Sequence, residues 1–390
     1  EKKPKKAKPR SALIAACCVL AVLLGGGVYL LTRSAAPTTP VVNLLTDAPT
    51  QEPTAEPTEA PTSVPETFPV LGEALRAWLN VSPQEQLTAE QLATVGGVIV
   101  SDDGIRFLTV AESTEDAMMN NGGSEAHSLI YEHENDGPSR RLLQQLDLSE
   151  AAQLPNLQFL YVQHRQVTNV AAIADLMQLW EVCLDDTGLT NDDMQVLYSL
   201  NAIRTISVPN NRITSLAGLS KAPDLFALIL DGNAIEDFSG LREAHAIAQL
   251  RLVNTGLHSL EPLIGSRVGA TMDFLAIDRN DLTDLTPVAQ FPNLMTLALG
   301  MRDVPLDLSA LSGLRLENLQ IYDTPLSSLS FLIGLPRLKA LFVGSCGVTS
   351  DMLPEIGVLH ELTELHLTHN KLTTLDTLSL DSLPALRSLS

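Results

Sequence analysis

From Leu157 to the C-terminus the apolar residues recur in one frame, LxxLxLxx(N/T/C)x(L/I/V). Units start at Leu157, Leu179, Ile203, Leu225, Ile247, Met272, Leu294, Leu316, Leu338 and Leu362, and an eleventh begins at Leu386. Successive starts lie 22, 24, 22, 22, 25, 22, 22, 22 and 24 residues apart. The LxL segment alternates with period two, which predicts a short strand with its leucines on one face and its x residues on the other. Each inward leucine stabilises by about 1.5–3 kcal/mol on burial, but only against the leucines of the units above and below. The Asn, Thr or Cys that comes next falls where the chain leaves the strand, where an amide or hydroxyl can bond backbone groups of a tight turn. Most units then repeat leucines every third residue, as at Leu216/Leu219 and Leu326/Leu329/Leu332, which suits a 3-10 or extended return. Two units differ: Thr190-Asn191-Asp192-Asp193 and Thr349-Ser350-Asp351 read as helix N-caps, so short α-helices are expected there and nowhere else on that face.

A fixed period of 20–29 residues with this consensus is the leucine-rich-repeat signature. The repeats resemble those of bacterial surface proteins such as the internalins. The segment 68–100 is similar to the N-terminal cap of that family: an amphipathic stretch Leu71–Leu79, then Leu87–Ala93 with Thr88 and Gln91 spaced as a capping box, then the apolar run Val98–Val100. The expected fold is an α/β solenoid, a curved leucine-rich-repeat horseshoe with a parallel β-sheet on the concave face, a mostly 3-10 or extended convex face and a helical N-terminal cap. Residues 101–140 break the period and read as an irregular insertion, with a hairpin of Ile105–Val110 against Ser128–Glu132; repeats fill 141–390. The resemblance implies protein recognition through the concave face rather than catalysis.

The first 67 residues carry a different pattern. Ser11 to Leu31 contains no charge, and a helix of that length spans roughly the 30 Å of a bilayer core. Residues 1–10 are a basic stub, and the positive-inside bias places them in the cytoplasm and the repeats outside the cell. A cleaved signal peptide and a lipobox at Ile14–Cys17 fit less well. The first has a shorter apolar region, and the second would leave only three residues between Arg10 and the motif. Residues 32–67 form an expected disordered stalk. Seven prolines and eight threonines between Ser34 and Thr67, with five acidic groups interleaved, keep the chain extended over about 100 Å.

Composition then narrows the function. The formal charge of −21 combines a basic N-terminus with a remainder near −27, which argues against nucleic acid and for a basic or apolar protein partner. Cys183 and Cys346 lie seven strands apart, about 34 Å, and cannot pair. Cys346 takes the asparagine slot; Cys183 is an x residue, a small side chain rather than a nucleophile. Glu364, His366 and His369 lack a third fixed ligand, and the pairs Asp102-Asp103, Asp185-Asp186 and Asp192-Asp193 lack calcium-loop spacing. No enzyme activity, cofactor, metal or small-molecule substrate is expected. The candidate partner-binding residues are aromatic or Arg side chains at concave x positions: Phe159, Tyr161, Trp180, Arg204, Phe226, Arg251, Phe274, Tyr322 and Phe342. The chain is expected to be a fragment, with Leu386 and Leu389 exposed at its uncapped end. The expected function is a membrane-anchored extracellular binding module; the alternative is the ectodomain of a transmembrane sensor, such as a kinase, whose cytoplasmic domain precedes residue 1.

Overall fold

The computed structural model describes residues 68–102, 104–113, 145–300 and 306–390. The expected membrane helix, the stalk and the strand Ser128–Glu132 lie outside these residues. Among the described residues no helix is long and apolar enough to cross a membrane.

The fold is a leucine-rich-repeat solenoid. A cap of α1 (Gly72–Leu79) and α2 (Ala89–Leu92) leads into β1 (Val95–Ser101) and β2 (Gly104–Thr109). After β3 (Gln145–Asp147) and α3 (Ser149–Ala152) come β4 (Phe159–Gln163), β5 (Gln166–Thr168), β6 (Glu181–Asp185), α4 (Asn191–Tyr198), β7 (Thr205–Ser207), β8 (Ala227–Ile229), α5 (Gly240–Glu243), β9 (Gln249–Arg251) and α6 (Arg267–Thr271). The last strands are β10 (Phe274–Ala276), β11 (Thr296–Leu299), β12 (Asn318–Tyr322), β13 (Ala340–Gly344), β14 (Glu364–His366) and β15 (Ser388–Leu389). One thirteen-stranded sheet runs β2-β1-β4-β6 and then consecutively to β15, and β3 pairs with β5 separately. The register is that of the sequence frame: Leu319 aligns with Leu297 on one side and Leu341 on the other. These inward leucines are fully buried and belong to one continuous core from Leu71 to Leu383.

The cap joins this ladder through β1, whose Gly97–Val100 pair in parallel with Phe159–Val162. The Thr88 hydroxyl accepts from the Gln91 N–H at 3.2 Å, and the Gln91 side chain accepts from the Thr88 N–H at 2.8 Å. Glu150 fixes the cap to the first repeat: this buried carboxylate accepts from the N–H groups of Val70 and Leu71 just before α1. Burial raises its pKa despite those bonds. Of the hairpin expected for Ile105–Val110 only the first strand lies within the described residues: β2 pairs antiparallel with β1 on one side, Ile99 facing Arg106 and Val100 facing Ile105.

The asparagine slot works by donation and acceptance at once. Asn280 Oδ1 accepts from the N–H groups of Thr255 and Leu257, both at 3.0 Å, while its Nδ2 donates to the carbonyls of Leu252 at 2.6 Å and Ile277 at 3.0 Å. Asn233, Asn211 and Asn370 repeat the arrangement. Cys346 keeps part of it, its Sγ lying 3.1 Å from the Gly344 carbonyl. Shortly before the slot the backbone takes positive φ in unit after unit: Asp186, Asn210, Gly232, Asn254, Arg279, Asp323, Ser345 and His369.

The convex face meets expectation in one unit and departs from it in three. Asn191–Tyr198 is an α-helix, with Asp193 accepting from both the N–H and the hydroxyl of Thr190 at 2.8 Å. Ser350–Val358 is instead a 3-10 helix with Pro354 inside it, where the proline ring would clash with the carbonyl four residues back in an α-helix. Short α turns also occur at α5 and α6, where helices were not expected. At the far end Leu389 is exposed and Leu386 half-buried.

Candidate functional site: the concave face

The x residues of the strands form the concave surface, and it divides into two parts. Over the first three ladder strands the chain covers itself. Ile99, Phe159, Tyr161 and Cys183 form a buried cluster against which Leu108 of β2 packs. Residues 110–113 then cross the N-terminal ends of these strands: the Val110 N–H donates to the Thr94 carbonyl, and the Trp180 indole N–H donates to the Ser113 carbonyl at 3.0 Å. The crossing is close enough to require glycine at position 96, where a Cβ would lie 2.5 Å from Val110 Cα and 2.0 Å from Ser113 Oγ. Phe159 is 0% exposed, Tyr161 5% and Trp180 8%. The expectation that these three aromatics stand free on the concave face is therefore corrected: the segment 104–113 and the neighbouring strands cover them. Cys183 is buried in the same cluster, and neither it nor Cys346 forms a disulfide among the described residues.

Beyond β7 the surface changes character. Arg204 is exposed and Phe226 half-buried. Phe226 and Val253 pack on an apolar patch of Ala227, Ile229, Phe274, Ala276 and Ala298. Phe274, expected to be exposed, is buried in that patch. Arg251 is half-buried and paired: its Nε and Nη2 donate to Asp231 Oδ2 at 2.8 and 2.6 Å, while Asp231 Oδ1 accepts from the Val253 N–H. Asp278, in the equivalent position two units after Asp231, makes no salt bridge among the described residues. Burial pushes its pKa up to about 6, with Asp231 adding to the rise and its own backbone N–H, Arg251 and Arg279 opposing it.

Tyr322 and Phe342 close the series. Tyr322 is 37% exposed, its ring lying over Gly344. Phe342 is half-buried and stacks on His366, ring centroids 4.5 Å apart and planes within 8°. Between these aromatics and the apolar patch stand Asn318 and Gln320, whose Oδ1 and Nε2 are buried without a hydrogen-bond partner among the described residues. Sequence reasoning missed Asp278, Asn318 and Gln320 as concave features. All three sit in x columns of the repeat frame, so weighing polar x residues alongside the aromatic ones would have found them. No group of three or more His, Cys, Asp or Glu side chains that could hold a metal ion occurs among the described residues.

No protein-family model matches the chain, and no curated protein does. Solved structures to which it is similar are leucine-rich-repeat proteins. An internalin (inlF) from Listeria monocytogenes is 19% identical over 82% of this chain and 94% of its own, with a TM-score of 0.48. The functional domain of InlJ from the same organism is 16% identical, with 81% and 67% covered and a TM-score of 0.48. A leucine-rich-repeat protein of Leptospira interrogans is 18% identical, with 62% and 80% covered and a TM-score of 0.36. Likenesses this distant say nothing of the ligand.

Proposed function

We propose that the protein is a membrane-anchored extracellular interaction module that binds a protein partner on the concave face from β8 to β14. The observation that carries this reading is the contrast along one sheet. The N-terminal third of the concave face is occupied by the chain's own segment 104–113, whereas the remainder keeps half-exposed Phe226, Phe342 and His366 and exposed Tyr322. Aromatic side chains combine large contact area with low entropy cost on ordering, and they anchor protein interfaces. The anchor is the charge-free segment 11–31 behind the basic stub, and the proline-threonine stretch 32–67 holds the repeats away from the bilayer.

The test uses the full chain in detergent. A partner is identified by crosslinking on intact cells, purified, and titrated against the wild type and against Phe226→Ala combined with Phe342→Ala. Each anchor removed from an interface centre costs on the order of 2 kcal/mol, so the pair should weaken binding by about a hundredfold or more. Unchanged affinity would remove the concave site. Protease added outside intact cells should cut the stalk, and full protection there would remove the proposed orientation.

A further inference from the structure

The loops that follow the asparagine slot lie side by side along the solenoid, and at one place they part. Between the units that start at Ile203 and Leu225 they are bridged: the N–H groups of Glu236 and Asp237 donate to the Thr214 carbonyl at 2.8 and 3.0 Å. Between the units that start at Leu225 and Ile247 neither His258 nor Ser259 makes the corresponding bond to the Glu236 carbonyl among the described residues. A cleft of about 490 Å³ opens there, its lining including Ile235, Phe238, Leu257 and Pro262 together with the exposed Glu236 and His258. Small residues keep it open. Ala234 and Gly256 lie in the cleft where the flanking units carry Arg212 and Asp281, and a Cβ on Gly256 would meet only the Ile235 carbonyl, at 3.7 Å.

Phe238 departs from the repeat at the same place. Leu216, Leu260, Leu285 and Leu329 hold the equivalent position of their units and are buried in the core, whereas Phe238 is half-buried and lines the cleft. The charges around it are mostly of one sign. Glu236 and Asp237 come from the unit before the gap, and Asp281 and Asp284 from the unit beyond its far wall. Hydrogen bonds from Ser239 and Thr286 hold Asp237 and Asp284 below the usual carboxylate range. Against these four carboxylates the same positions of the repeat carry Arg212, one unit before the cleft, and His258 within it. None of these residues belongs to the strands of the concave sheet, so the cleft is a second surface.

We infer that this cleft docks a bulky apolar side chain from a basic segment of a protein partner. The aromatic wall and apolar lining take the side chain, which leaves water for a site of its own size. Lysine or arginine residues beside it meet the carboxylates on the two flanks, which also favour the approach of a positive segment.

The experiment selects dodecapeptides from a random phage-displayed library on the full chain in lipid nanodiscs. Synthetic copies are then titrated against wild type, Ala234→Trp, Phe238→Leu, Glu236→Lys and the Phe226→Ala/Phe342→Ala pair. Ala234→Trp fills the cleft from an exposed position, and Phe238→Leu restores the residue that the repeat uses elsewhere, so that at least one of the two leaves the fold intact. Selected peptides should share a bulky apolar residue next to Lys or Arg. Ala234→Trp should weaken them by about tenfold or more, Phe238→Leu and Glu236→Lys should each weaken them by a smaller factor, and the concave pair should leave them unchanged. Peptides that bind Ala234→Trp and Phe238→Leu as tightly as wild type would overturn the cleft, and if they are lost with the concave pair they would at the same time support the concave-face reading. Peptides that depend on the cleft but carry no basic residue would overturn the stated chemistry. Failure to select any peptide would overturn the inference as a whole.

Discussion

An acid buried without an ion pair among the described residues should cost the folded protein stability, and Asp278 gives that cost a measurable size. Its carboxyl titrates at about 6 in the fold against an ordinary value of 3.8, because burial penalises the charged form by more than its own N–H, Arg251 and Arg279 offset. The sign comes from linkage. Below pH 3.8 the group is protonated in both folded and unfolded chains and costs nothing. As pH rises from there through about 6 the unfolded chain ionises freely while the folded form ionises only at a penalty, so stability is lost across that window. A difference of this size corresponds to about 3 kcal/mol once ionisation is complete. Asp278→Asn keeps the shape and removes the charge. It should raise the free energy of unfolding by about 2–3 kcal/mol at pH 8, and the gain should shrink towards zero as pH falls to about 4 and below. Urea titrations of wild type and variant across that range measure the difference directly, and the common titration of other groups cancels in it. A variant that is less stable than wild type at pH 8, or a gain independent of pH, would refute the reasoning. Asp231→Asn should behave oppositely and destabilise, because it strands the Arg251 guanidinium.

The packing sets three further outcomes. Asn280→Ala strands the buried N–H groups of Thr255 and Leu257 and should cost about 3–5 kcal/mol in urea unfolding, with Asn280→Thr recovering part of it as Thr255 does in its own unit. Ser345→Gly, at a position with φ 56°, relieves a left-handed backbone and should raise stability by about 0.5–1 kcal/mol in the same assay. Trp180→Phe removes the hydrogen bond to the Ser113 carbonyl and should cost about 1–2 kcal/mol, with faster amide exchange across 108–113 and no loss of partner affinity.

Those variants also mark what the sequence made legible. The ladder, the slot asparagines and the N-caps at Thr88 and Thr190 were readable because each is a rule either closed within a few residues, as Thr88 with Gln91 and Thr190 with Asp193, or repeated in unit after unit, as the asparagine at 280 is. Whether an x residue is free was not readable, since Phe159 and Phe342 occupy x positions of the same sheet face. What separates them is Leu108 and Ser113, which reach the first strands from a segment without periodicity. The helix expected at Ser350 gave way to a single Pro354. The left-handed position before the slot escaped notice because Arg279, Asp323, Ser345 and His369 share a conformation but no side-chain chemistry. No repeated or local pattern marks Asp278; what sets it apart is the geometry that gives Arg251 to Asp231.

The division of the concave face into a self-occupied and an open part is tested most directly by site-specific photocrosslinking on intact cells. A benzophenone amino acid is placed in turn at Phe226, Tyr322, Phe342, Tyr161 and Trp180 of the full chain. Crosslinks to a separate protein should form from 226, 322 and 342, while 161 and 180 should link only to the chain's own residues. Intermolecular crosslinks from 161 and 180 with none from 226, 322 and 342 would contradict the assignment.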